Sequence, residues 1–146
     1  MKLQLFDNQT KYTLVIALLG ILVVFTSIVS AGSIVGYQPP AFSLEDFEKD
    51  FSHMKANDID PQKPLTWIYY FTGYTQQSLV SAASHFTKIG FTPTGMYTDK
   101  TVNFYWLEVE NKTAHTPKSL IEQVSNFQQI AKELKLRSLE KIDVKP

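Results

Sequence analysis

Between Tyr12 and Val35 the chain runs for 24 residues, YTLVIALLGILVVFTSIVSAGSIV, without a charged side chain. As an α-helix this run would be roughly 36 Å long, at about 1.5 Å per residue. The hydrocarbon core of a bilayer is roughly 30 Å thick, so the run can span it with some tilt. A soluble helix of that length would carry a polar face, and none is visible here. Gly20, Gly32 and Gly36 do not oppose the reading, because membrane helices tolerate glycine. We expect a flank over residues 1–11 and a transmembrane helix over residues 12–35, making the lipid bilayer a partner through that segment. The competing reading is a cleaved signal peptide: Lys2 and Lys11 give a positive start, and Val29-Ser30-Ala31 resembles a small-residue cleavage site. The apolar run continues past that point through Ile34 and Val35, which favours an uncleaved anchor.

Flanking charge sets the expected orientation. Lys2 and Lys11 stand against Asp7 on one side, while the other side begins with Glu45, Asp46 and Glu48. Positive residues remain in the cytoplasm. The expectation is a single-pass protein of the bacterial inner membrane with its soluble part in the periplasm. The cytoplasmic orientation is the alternative.

From Ser43 onward the composition is ordinary, with twelve Lys and Arg against thirteen Asp and Glu. Such a balance argues against a broadly basic nucleic-acid surface. There is no cysteine, hence no disulfide framework, thiol nucleophile or Cys-based zinc site. About a hundred residues can bury a workable core without such staples.

Pro39 and Pro40 make a stiff exit from the apolar run. Ser43 reads as a helix N-cap, and Leu44, Phe47, Phe51 and Met54 recur at helical spacing until Asn57-Asp58 and Pro61. Residues 36–64 are therefore read as a linker with a short helix, and 65–146 as the folded domain. LTWIYYF, Leu65 to Phe71, predicts a strand. Thr75 caps a helix from Gln76 to Ile89, and Gly90 supplies its stop. Phe91 to Tyr97 reads as an edge strand weakened by Pro93 and Gly95, and VNFYWLEV, Val102 to Val109, as the strongest strand. Thr98 to Lys100 reads as the turn between them and Asn111 to His115 as a loop. Thr116 and Pro117 open a long helix with its buried stripe on Leu120, Val124, Phe127, Ala131 and Leu134. Leu136 to Val144 supplies a last strand. The fold class is α+β: a ferredoxin-like βαββαβ domain behind one transmembrane helix and one short helix.

Two stretches carry a family likeness: SLVSAASHFTKIGF, Ser78 to Phe91, and SLIEQVSNFQQIAKELKL, Ser119 to Leu136. With the element order, they make the span Leu65 to Asp143 resemble the RraB-type protein inhibitors of ribonuclease E. The resemblance implies a non-catalytic regulator that binds a ribonuclease. Family members are acidic, soluble and cytoplasmic, whereas this domain is nearly neutral and follows an apolar run. Where the family tends to carry a Tyr-Asp-Gly-Trp step this chain has SLEKI, Ser138 to Ile142, so no binding residue is carried over there.

The first and third strands of such a domain lie side by side, and side chains alternate faces. Trp67, Tyr69 and Phe71 share one face of the first strand, and Phe104 and Trp106 one face of the third. These five are the candidate partner-binding residues, for another protein or for a second copy of the chain. Stacking on nucleic-acid bases is disfavoured, because TVNFYWLEV lacks the basic-glycine-aromatic signature of RNA-binding sheets. His53, His85 and His115 have no ligand spacing and are read as solvated, and no metal or cofactor is implied. Glu108 and Glu110 suit solubility better than acid-base catalysis. No phosphate loop or nucleophile elbow is present, so the chain is read as not an enzyme. Asn8-Gln9-Thr10 and Asn111-Lys112-Thr113 match the glycosylation acceptor pattern, which has meaning only in a eukaryotic secretory protein. The function expected is a membrane-anchored, protein-binding regulatory domain. The alternative is an inhibitor of ribonuclease E at the cytoplasmic face.

Overall fold

The computed structural model describes residues 39–99 and 104–145. The expected anchor over residues 12–35 lies outside them. Among the described residues no helix is long and apolar enough to cross a membrane.

The chain folds into helix α1 (Leu44–Ala56), strand β1 (Leu65–Gly73), helix α2 (Gln76–Lys88), strands β2 (Thr92–Asp99) and β3 (Phe104–Thr113), helix α3 (Pro117–Glu133) and strand β4 (Ser138–Lys145). The four strands form one antiparallel sheet in the order β2-β3-β1-β4. β3 thus lies between β1 and β2, a split βαβ.

All three described helices begin on a side-chain cap. Ser43, Thr75 and Thr116 each accept a hydrogen bond from the backbone N–H three residues on. Thr116 and Ser119 complete a capping box behind Pro117. The three helices also end alike. After α1 the Asp58 and Ile59 N–H groups donate to Lys55 and Met54 carbonyls; after α2 those of Gly90 and Phe91 donate to Thr87 and Phe86; after α3 those of Lys135 and Leu136 donate to Lys132 and Ala131. Each is a Schellman stop with a left-handed residue, at φ 59° for Asp58, 91° for Gly90 and 56° for Lys135. In each, the next residue is apolar and buried: Ile59, Phe91 and Leu136.

The core lies between the helices and one sheet face. Its centre is a group of aromatic rings around Phe127, whose centroid lies 4.7 Å from Tyr69, 5.1 Å from Phe91, 5.4 Å from Phe86 and 5.5 Å from Phe71. Helix α1, read from sequence as part of the linker, belongs to this core. Phe47, Phe51 and Met54 are buried, and Phe51 stacks on Trp67 at 5.8 Å. Its amphipathic stripe needs an apolar surface to cover, and the amino-terminal end of β1 provides one. Smaller differences lie at strand ends: Thr98 and Asp99 extend β2, and Asn111 to Thr113 extend β3, where a turn and a loop are expected.

Candidate functional site

The register of β1 fixes which side chains share a face. Tyr69 pairs with Val109 and Ile142, and Phe71 with Leu107 and Leu139, all directed at the helices. On the other face, which no described helix covers, the alternate residues form rows, three of them central. One row is Tyr97, Trp106, Thr72 and Ser138; the next is Gly95, Glu108, Tyr70 and Lys141; the third is Thr92, Glu110, Ile68 and Asp143.

The five candidate aromatics are therefore divided between the two faces. Trp67, Tyr69 and Phe71 are 0% exposed and belong to the core. Phe104 and Trp106 are half-buried on the uncovered face. The division follows from the pairing of Thr72, not Phe71, with Trp106. Alternation within each strand is legible in sequence, but the relative phase of two strands depends on register, which only their pairing sets. The residues that join Phe104 and Trp106 are Tyr70 and Tyr97.

On this face the Tyr97 and Trp106 rings stack at 6.1 Å and 6°. Tyr74 meets the Phe104 ring edge-on at 5.8 Å, and the Arg137 guanidinium sits over the same ring at 3.9 Å. Glu140 accepts from Arg137 at 3.0 Å and from Thr72 Oγ1 at 2.7 Å, and is also bonded to the Ser138 hydroxyl. Glu140 is the extra residue where the β1–β4 register shifts, and the bulge aims its carboxylate at Thr72 and Arg137. Lys141 Nζ binds Asp143 at 2.6 Å and lies 5.1 Å from the Tyr70 ring centre. Burial, then the Asp143 and Glu108 carboxylates, raises the Tyr70 hydroxyl well above the ordinary range, so it stays a neutral donor. Burial, then the Glu108 carboxylate and after it Asp99 and Asp143, raises Tyr97. Trp106 Nε1 is buried with no hydrogen-bond partner among the described residues. The face offers aromatic surface and an indole donor with no partner among the described residues, beside rows that carry Glu108, Glu110 and Asp143.

Among the described residues no three His, Cys, Asp or Glu side chains converge on a metal position. His53 is exposed, as expected, whereas His85 is half-buried with its ring edge-on to Phe86 at 6.1 Å. His115 is not solvated: it is 8% exposed, its Nε2 lies 3.2 Å from the Tyr69 hydroxyl and its Nδ1 3.0 Å from Ser119 Oγ. Its ring meets Trp67 edge-on at 5.1 Å, and burial lowers its pKa below the ordinary value. The sequence signal was weak, because position 115 precedes the capped start of α3 where a loop residue is expected. Two further features carry no sequence signal: the buried carboxylate of Asp50 and the cluster centred on Glu140.

A family model described as Regulator of ribonuclease activity B, RraB, matches residues 45–138. No curated protein matches the chain. The matched span begins inside α1 and ends at the start of β4, so it takes in α1, which the likeness read from Leu65 onward did not include.

Proposed function

The chain belongs to the RraB family of regulators of ribonuclease activity, and from that premise we propose that it is a non-catalytic regulator that binds ribonuclease E and restrains it. The family match over most of the described domain carries this reading. The contact assigned to it is the uncovered sheet face, with Tyr70, Tyr97, Phe104 and Trp106 as anchors. Buried aromatic anchors supply most of the affinity in protein interfaces. Glu108, Glu110 and Asp143 interleave with those rings and would repel phosphates, so the face suits a protein better than RNA.

Residues 12–35 would act as a membrane anchor that holds the domain on the cytoplasmic face, where RNA is cleaved. Confinement would then raise the local concentration of domain and nuclease together. A second reading rests on the flanking charge: Lys2 and Lys11 on one side and Glu45, Asp46 and Glu48 on the other favour a periplasmic domain that would bind another protein there.

Carboxyl-terminal fusions separate the two. A fluorescent fusion without phosphatase activity supports the cytoplasmic reading, and an active phosphatase fusion removes it. For the mechanism, the full chain in lipid nanodiscs is added to ribonuclease E and a fluorescent RNA. Wild type slows cleavage, and replacing Phe104 and Trp106 together with Ala raises the half-inhibiting concentration about tenfold or more. Unaltered inhibition by that variant would remove the sheet face from the mechanism, and no inhibition by wild type would remove the nuclease.

A further inference from the structure

A cleft between α1 and β4 holds a carboxylate with an oxygen that no other described residue hydrogen-bonds. Asp50 is 5% exposed, and its Oδ1 is buried with no hydrogen-bond partner among the described residues. It lines a cleft of about 100 Å³ with largely apolar walls: Pro40 and Phe42 of the entering segment, Phe47 of α1 and Ile142 of β4. Lys141 also borders the cleft, but its ammonium is held by Asp143 and Tyr70 on the far side of the sheet. Asp46, a second carboxylate in the wall, accepts from the Ser43 hydroxyl at 2.6 Å. A buried carboxylate without a partner is costly, so Asp50 is a standing acceptor for a donor from outside.

Size and chemistry narrow the donor. Sites for cofactors and drug-sized ligands run to roughly 300–1,000 Å³, and a cavity of about 150 Å³ holds a benzene. The cleft therefore admits one extended side chain. Apolar walls suit an aliphatic stem, and a buried acid suits a cationic head. A divalent cation would need further ligands, and among the described residues no such group exists.

We propose that the cleft receives one lysine or arginine side chain of a partner polypeptide, its stem along Phe42, Phe47 and Ile142 and its charged head on Asp50. Pro40 to Ser43 borders the cleft together with Glu140 to Ile142, so the partner enters as a side chain and adds no strand to β4. The site is distinct from the aromatic sheet face and its test needs no ribonuclease, so either reading can fail without the other.

The test uses the full chain in nanodiscs with labelled isoleucine methyl groups, titrated with capped peptides that differ at one residue. Arginine at that residue gives a saturable shift at Ile142. Citrulline, which keeps the shape and loses the charge, binds about tenfold more weakly or worse. Asp50→Asn weakens the arginine peptide to a similar degree, and Trp106→Ala leaves it unchanged. Equal binding of both peptides, arginine binding indifferent to Asp50→Asn, or no saturable shift with either peptide overturns the proposal. Saturation by spermidine without binding of the arginine peptide also overturns it, by assigning the cleft to a free amine.

Discussion

Two buried titratable residues make stability depend on pH in opposite directions. Burial first, then the Asp46 carboxylate, raises Asp50 to about 6, against the opposing pull of His53; Glu140 and Lys141 border the cleft but turn their charged groups to the other face of the sheet. Its folded value lies above its unfolded one, so the folded state holds the extra proton and stability falls as pH rises from about 4 to about 6. Asp50→Asn should stabilise the protein by roughly 1–3 kcal/mol at pH 7.5 and not at pH 4, read by denaturant unfolding. His115 has the reverse sign. Its folded value is lowered, so its contribution is present above the unfolded value, near pH 6.5, and is lost as pH falls below it. His115→Gln should lower the melting temperature at pH 7.5, and should flatten its decline between pH 7 and pH 5 relative to wild type. A decline as steep as that of wild type would remove His115 as its source.

At the scale of the elements, the helix starts were plain in the sequence, as were the stops of α1 and α2, while that of α3 was not. Ser43, Thr75 and Thr116 announce their caps by residue type, and each makes the expected bond. Gly90 announces a left-handed stop and Asn57-Asp58 marks the end of α1, whereas Lys135 adopts the same conformation with a side chain that does not advertise it. A left-handed L-residue costs about 1–2 kcal/mol, which tertiary packing of Ile59 and Leu136 offsets. Lys135→Gly and Asp58→Gly should each stabilise by up to about 1 kcal/mol, and Gly90→Ala should destabilise by about 1 kcal/mol or more, in thermal unfolding. Sheet register was the other illegible quantity. The alternation in TWIYYF and NFYWLEV is plain, but a pairing of Thr72 with Trp106 appears in no single segment, and it is what sends Trp67, Tyr69 and Phe71 inward.

For the whole molecule, the order of elements after α1 could be read from periodicity and punctuation, because each element states its own period. Membership of α1 in the core could not, since its stripe of Leu44, Phe47, Phe51 and Met54 predicts a buried face without saying what covers it. The centre is Phe127, which reaches rings from β1, α2 and the α2–β2 turn at once. Phe127→Ala should cost about 3–5 kcal/mol, a large part of the stability of a domain this size, and lower the melting temperature accordingly. Phe127→Leu, which keeps most of the volume, should cost far less, and equal losses for the two would mean that the ring cluster is not the keystone.

The cleft has one consequence for how the chain could be rewired. Pro40 to Ser43 and Glu140 to Ile142 border the same small space, so the first and last segments of the domain meet there. From Ile142 the strand continues only to Lys145, about 10 Å at roughly 3.3 Å per residue. A short loop could therefore join the two ends of the domain, and new ones could be opened between β2 and β3. Such a circular permutant keeps every pairing of the sheet and moves the point of attachment to the opposite edge.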